Sequence, residues 1–150
     1  MKTNFGFIKV ASAVPQVKVA DCEWNISQIE QLMSEADENG VSVIVFPELC
    51  VTGYTCADLF QSQLLLDQAL EALGDVIEYT KTEVRLTTIL GAPLRIDNQL
   101  FNCAIVIREG KILAIVPKTY LPNYNELSEM RWFASSTHTM RDTVNLLGHK

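Results

Sequence analysis

Six residues, Val41-Ser42-Val43-Ile44-Val45-Phe46, limit what this chain can fold into more than any other stretch. They are almost wholly apolar and β-branched, they follow a glycine, and they run straight into Pro47. A strand of this kind is covered on both faces, which requires a sheet packed against helices. The residues before it read as a helix. Asp21 is placed to cap it, Cys22, Ile26, Ile29, Leu32/Met33 and Ala36 recur at helical spacing, and Gly40 fits the position just past its end. Phe5 to Val14, ending near Pro15, reads as an earlier strand, so the chain opens with a βαβ-type unit.

Pro47 to Phe60 reads as a loop around Gly53. A second helix follows, with Ser62 as its cap and Leu65, Ala69, Leu73, Val76/Ile77 and Thr80 on its core face. Leu86 to Ala92 reads as a third strand. Leu100–Arg108 and Lys111–Val116 flank Glu109-Gly110, a turn dipeptide that predicts a hairpin. A polar, aromatic segment then extends to Phe133, followed by a Ser/Thr-rich loop and a last short strand predicted at Thr143–Leu147. No repeat or linker divides the chain. The fold class is α/β with a mixed sheet in one domain.

Composition narrows the function. The chain has 150 residues, 48% of them apolar, enough for a real core. Its 12 Lys and Arg stand against 18 Asp and Glu, and residues 1–75 carry only 3 basic side chains beside 11 acidic ones. Without a basic stripe, a nucleic-acid or anionic-membrane surface is not expected. No apolar run approaches the ~18–20 residues of a membrane span. The apolar start is short and interrupted by Lys9, which argues against a signal peptide. Cys22, Cys50, Cys56 and Cys103 form no CxxC pair and have no histidine at metal-ligand spacing. Reduced thiols in a cytoplasmic protein are the expectation, two disulfides the alternative. His138 and His149 read as surface residues.

Two strand ends carry chemistry. Phe46-Pro47-Glu48 places a carboxylate, and Val116-Pro117-Lys118 an ammonium, directly after a strand stopped by proline. If both strands run the same way in one sheet, Glu48 and Lys118 emerge on one edge, as proton acceptor and charge stabiliser. The plainer alternative is a solvated surface pair. Lys118 through Phe133 packs two tyrosines, a tryptophan, an arginine and two glutamates into sixteen residues. Such a run suits the lining of a site for a small polar ligand. The plainer reading pairs Arg131 with Glu126 or Glu129 and buries the aromatics.

Phe46-Pro47-Glu48-Leu49-Cys50-Val51-Thr52-Gly53-Tyr54 resembles the FPE-L…TGY motif of the carbon–nitrogen hydrolase (nitrilase) superfamily. Pro117 to Phe133 resembles the lysine motif of one branch, the glutaminase domains of glutamine-dependent NAD synthetases. Asp58-Leu59-Phe60, and Val10 to Val19 leading into Asp21-Cys22, are similar to that branch too. The resemblance implies a nitrilase-like α-β-β-α sandwich of which residues 1–150 form an N-terminal portion, the rest of the hydrolase domain and the synthetase domain being absent. It implies a Glu–Lys–Cys triad with Glu48 as general base, Lys118 as the cation facing the oxyanion and Glu126 as a second, positioning glutamate. Tyr54, Tyr124 and Glu129 are implied as substrate-binding.

The implied activity is hydrolysis of glutamine through a glutamyl thioester. The ammonia would serve amidation of deamido-NAD in a synthetase domain using ATP and Mg, with no cofactor in this chain and a homo-oligomeric assembly. The nucleophilic cysteine is expected at the close of a strand after Lys150, and of the four present Cys56 is the least remote stand-in. The chain alone is therefore expected to be inactive. Two other readings stay open: an amidase of this superfamily acting on another small amide, and a non-catalytic module that associates through an uncovered sheet face.

Overall fold

The computed structural model describes residues 6–139 and 142–149. Helix α1 (Cys22–Glu38) starts where the side chain of Asp21 accepts the Trp24 N–H at 3.2 Å. It stops where Gly40, at φ +71°, takes the left-handed conformation. The Gly40 N–H then donates to the Asp37 carbonyl (2.8 Å) and the Val41 N–H to that of Ala36 (3.0 Å). These two bonds satisfy carbonyls a helix end would otherwise leave open. Helix α2 (Gln63–Thr82) buries Leu65, Ala69, Leu73, Val76, Ile77 and Thr80, the face the sequence predicts. Ser62 precedes it, but its side chain makes no capping bond.

Five strands form one sheet in sequential order: β1 (Val10–Ser12), β2 (Val43–Val45), β3 (Thr87–Ile96), β4 (Gln99–Arg108) and β5 (Lys111–Pro117). β1, β2 and β3 are parallel, and β3, β4 and β5 follow as antiparallel neighbours. Each parallel pair is joined by a helix, and α1 and α2 pack on each other. Both crossovers therefore lie on one face, as right-handed connections between sequential strands require. Ile44, Leu90, Cys103, Ile105 and Ile107 meet the helices and are buried. The opposite face bears Val10, Val45, Ala104, Ala114 and Val116, all exposed.

Several boundaries depart from the sequence reading. The first two strands are only three residues long, and Phe5 lies outside the described residues. β3 continues through Pro93 to Ile96 rather than stopping at Ala92. Only Thr87–Ile89 pair with β2, so Pro93, whose backbone groups face that side, leaves no ladder bond unmade. β3 and β4 form a second hairpin at Asp97-Asn98, both at positive φ like Glu109-Gly110 in the predicted one. Thr143–Leu147 is not a strand; a tight turn closes there on an isolated bridge between Leu146 and His149.

Asn25, fully buried, ties α1 to the loop that follows β2. Its amide donates to the carbonyls of Lys18 (2.9 Å) and Val51 (3.0 Å), and its oxygen accepts the Lys18 N–H at 2.7 Å. Replacement by alanine strands the buried Val51 carbonyl and opens the part-buried Lys18 N–H and carbonyl, at roughly 1–3 kcal/mol for a group that water cannot reach. Asn25→Ala is expected to destabilise the protein by about 3 kcal/mol in denaturant titration, whereas the exposed Ser27→Ala should cost under about 0.5 kcal/mol.

Candidate active site

β5 runs antiparallel to β4 and β4 to β3, so β5 points the same way as β2. Glu48, three residues past β2, and Lys118, the first residue past β5, therefore leave the sheet at the same edge. The Lys118 ammonium stands 2.6 Å from Glu48 Oε1 and 2.9 Å from Glu129 Oε1. Asn102, on β4, donates its side-chain amide to the same oxygen of Glu48. Two donors thus converge on Oε1, while Oε2 has no partner among the described residues. The Tyr54 hydroxyl donates to Glu129 Oε1 at 2.7 Å. A chain of four polar side chains, Glu48–Lys118–Glu129–Tyr54, results.

The loop after β2 aims Glu48. Phe46 and Val51 donate to the β3 carbonyls of Ile89 (2.8 Å) and Gly91 (3.2 Å), so the loop takes over the pairing that β2 leaves. Between them Leu49, wholly buried, holds a left-handed backbone at φ +51°. Such a conformation costs a bulky residue about 1–3 kcal/mol, and here the buried side chain and the bonds of its carbonyl hold it. Gly53 (2.8 Å) and Thr52 (3.2 Å) both donate to that carbonyl. Gly91 lies directly beneath. A Cβ there would come within 2.3 Å of the Leu49 nitrogen and 2.9 Å of the Glu48 Cα. Glu48 sits where it does because residue 91 has no side chain.

Lys118 is set by β5 and by the strap that follows. Its N–H donates to the Asn102 carbonyl at 2.8 Å, and its carbonyl accepts from Ser136 at 3.0 Å. Burial pulls its pKa down, but the bonds and charges of Glu48 and Glu129 outweigh this, and the net shift is upward. Lys118 is therefore a cation at neutral pH, not a base. Glu129 is 2% exposed, and its Oε2 is buried with no hydrogen-bond partner among the described residues. Burial, then the Glu129 bond, lifts the Tyr54 phenol above its ordinary value, so it remains a donor.

The residues around Glu129 are anchored to the segment after Tyr54. Arg131 Nε (2.6 Å) and an Arg131 terminal nitrogen (2.8 Å) clasp the Asp58 carboxylate, which also accepts the Trp132 indole N–H at 2.9 Å. Hydrogen bonds from Arg131 and Trp132 hold the Asp58 carboxyl well below the usual range. Beneath them Phe60 packs on Phe133 and Trp132, ring centres 4.9 and 6.0 Å away. Arg131 thus pairs with neither Glu126 nor Glu129.

Of the residues singled out in the sequence, the structure gathers Glu48, Lys118, Glu129 and Tyr54. Glu126 is not among them: it is exposed on the turn around Asn125, which holds φ +51°, while Glu129 stands beside Lys118. Tyr124 is 64% exposed and lines a groove of about 890 Å³ with Leu100, Met130, Trp132 and Phe133. Glu48, Lys118 and Glu129 are not among that groove's walls. Sequence reasoning passed over Asn102 and Gly91. Their signals were a lone amide and a lone glycine inside apolar strands, the latter a mark of close backbone approach.

All four cysteines are free and buried. Burial pushes the thiols of Cys22 and Cys50 up to about 11 and that of Cys103 to about 12, and raises Cys56 as well. Cys50 donates to the Gly91 carbonyl (3.7 Å) and Cys56 to those of Thr52 (3.1 Å) and Gly53 (3.3 Å).

Comparison with known proteins agrees with this geometry. Residues 9–144 match the carbon-nitrogen hydrolase family. A glutamine-dependent NAD(+) synthetase of Mycobacterium leprae is 33% identical over 129 residues, 86% of this chain and 19% of that protein. One from Aquifex aeolicus is 32% identical over 132 residues, 88% of this chain and 22% of its own length. This chain thus spans about a fifth of these relatives. The crystal structure of a glutamine-dependent NAD(+) synthetase from Cytophaga hutchinsonii superposes with a TM-score of 0.82 at 29% identity, over 95% of this chain and 24% of that one. An amidase from Nesterenkonia shares the fold at a TM-score of 0.72 and 19% identity, over 85% of this chain and 48% of that one. On the match across residues 9–144 and the Glu48–Lys118 arrangement at the strand ends, this chain belongs to the carbon–nitrogen hydrolase family.

Proposed function

We propose that Glu48 and Lys118 are the base and the oxyanion-facing cation of a site that hydrolyses the side-chain amide of glutamine. The whole protein would pass the ammonia to an ATP-dependent amidation of deamido-NAD. The contact of Lys118 Nζ with Glu48 Oε1 at 2.6 Å carries this reading. With Oε1 occupied, Oε2 is the atom left to take a proton from a nucleophile. Attack on a carboxamide builds negative charge on its oxygen, and a well-placed donor such as the Lys118 ammonium supplies about 3–4 kcal/mol there. Glutamine, rather than another amide, is favoured by the named relatives.

Glu129 is proposed to seat Lys118 and Tyr54 through its Oε1, the role the family resemblance gave Glu126. Its Oε2 is closed to solvent, so the substrate contact implied for Glu129 is not proposed for that atom. Tyr124, on the groove beside it, is proposed to contact the rest of the substrate.

The nucleophilic cysteine is proposed to lie outside these 150 residues, since burial keeps all four thiols protonated. The chain is then the acid–base portion of the hydrolase domain, inactive alone. Among the described residues no three His, Cys, Asp or Glu side chains converge to hold a metal ion. ATP and Mg are assigned by this proposal to another part of the protein.

Glu48→Gln is the cleaner test. Its side chain is 41% exposed, and its removal leaves Lys118 paired with buried Glu129, so the fold should lose no more than about 1 kcal/mol. Lys118→Ala would strand the Glu129 charge and cost about 3–5 kcal/mol. In the intact protein, Glu48→Gln should lower ammonia release from glutamine by about 10²–10⁴-fold while NAD formation from free ammonia persists. Wild-type glutamine turnover in Glu48→Gln would overturn the reading. Wild-type protein that hydrolyses another small amide but not glutamine would replace it with an amidase. A further measurement concerns the thiols: at pH 8, Cys22, Cys50, Cys56 and Cys103 should resist iodoacetamide in the folded protein and react quickly in denaturant, as mapped by mass spectrometry.

A further inference from the structure

We infer that Asn102 is the positioning residue of this site, holding the base and the cation in register through two different groups. The inference rests on the reading of Glu48 and Lys118 given above. The Asn102 amide donates to Glu48 Oε1, and its backbone carbonyl accepts the Lys118 N–H at 2.8 Å. Asn102 is 4% exposed and is held rigidly in β4, opposite Pro93 on one side and one residue before the Cys103–Pro117 pair on the other. It is the one polar side chain in the run Leu100–Ile107, and every neighbour there is apolar. An amide in such a place is costly unless it is bonded, and the bond it makes is to the carboxylate that does the chemistry.

The arrangement has a specific consequence. A carboxylate on a loop can turn about its last bond and offer either oxygen. Asn102 and Lys118 both donate to Oε1, which fixes that oxygen and faces Oε2 outward as the sole proton acceptor. Gly91, two residues from Pro93 on the adjoining strand, admits the Glu48 backbone from below. Base and cation are therefore aligned by one strand residue before any substrate arrives. Loss of this alignment should slow the chemical step far more than it weakens binding, since misplacement by about 1 Å can cost roughly 10²-fold.

The test is a double-mutant cycle in the intact protein, read as ammonia release from glutamine. Asn102→Ala should lower kcat by about 10–100-fold with the KM for glutamine within about twofold, and leave NAD formation from free ammonia at its wild-type rate. Asn102→Asp has the same size and no amide donor, and it sets a second carboxylate against Glu48. It should be no better than Asn102→Ala, and it carries the test alone if the alanine variant fails to fold. Added to Glu48→Gln, either substitution should cause little further loss, because Asn102 acts through that carboxylate. Full kcat in Asn102→Ala, recovery in Asn102→Asp, or losses that multiply on the Glu48→Gln background would overturn the assignment. Unimpaired Glu48→Gln would instead overturn the parent reading of the base.

Discussion

The Lys118 ammonium is the pivot of this structure. Among the described residues it is the one cation bonded to Glu129, a carboxylate almost wholly withdrawn from water, and it bridges that group to the half-exposed Glu48. A charge as deeply placed as Glu129 costs several kcal/mol to bury unless a counter-charge and donors meet it. Lys118 and Tyr54 do so, which makes the cation a structural requirement, whatever its part in the proposed chemistry. The two carboxylates differ sharply in exposure: Glu129 is closed off from solvent, while Glu48 is 41% exposed and its Oε2 has no partner among the described residues. On the proposed reading, that difference leaves the proton to Glu48.

Much of this was legible because proline marks strand ends in a way that survives without coordinates. Pro47 and Pro117 located Glu48 and Lys118, and the alternation of helices and strands put both at one edge. The helix stop at Gly40 and the turn at Glu109-Gly110 were equally plain, since each needs a positive φ that few residues tolerate. What escaped was geometry that depends on chain direction inside a short irregular segment. Glu126 and Glu129 are three residues apart in a loop, and nothing in their spacing tells which turns inward. The left-handed Asn125 and the 3₁₀ turn at Glu129–Arg131 decide it. Arg131 was legible as half of an ion pair, but its partner, Asp58, is 73 residues away in sequence and belongs to another loop. The last predicted strand failed for a different reason: alternation over five residues is too short a pattern to outweigh a turn at Gly148.

Asn102 and Gly91 show how strands that look purely structural can carry the site. Both lie on the sheet face opposite the helices, and both influence Glu48 without taking part in any strand-to-helix packing. Apolar strands tolerate a polar or missing side chain only at a cost, of about 1–3 kcal/mol for an unbonded amide and somewhat less for a glycine. Where such a residue sits against a charged side chain, its cost in packing is offset by rigidity where the chemistry needs it. Leu49 belongs with them, a bulky residue in a backbone conformation it resists, adjacent to Glu48.

The same face bears on where the proposed nucleophile would come from. Val10, Val45, Ala104, Ala114 and Val116 form an exposed apolar strip across all five strands except β3, where the Glu48 loop already covers Gly91. A surface of this composition favours burial by about 25 cal/mol for each Å² covered. A layer packed there would lie directly beside Glu48 Oε2 and the groove next to Glu129. Within the proposed hydrolase, that layer is the natural place for a nucleophile, because a cysteine brought against this face would meet the unoccupied oxygen of Glu48 and the field of Lys118 together. The helix face offers no such route: Cys103 lies there, sealed in the core with its thiol pushed up to about 12. Under that proposal, covering the strip and completing the catalytic set are one event.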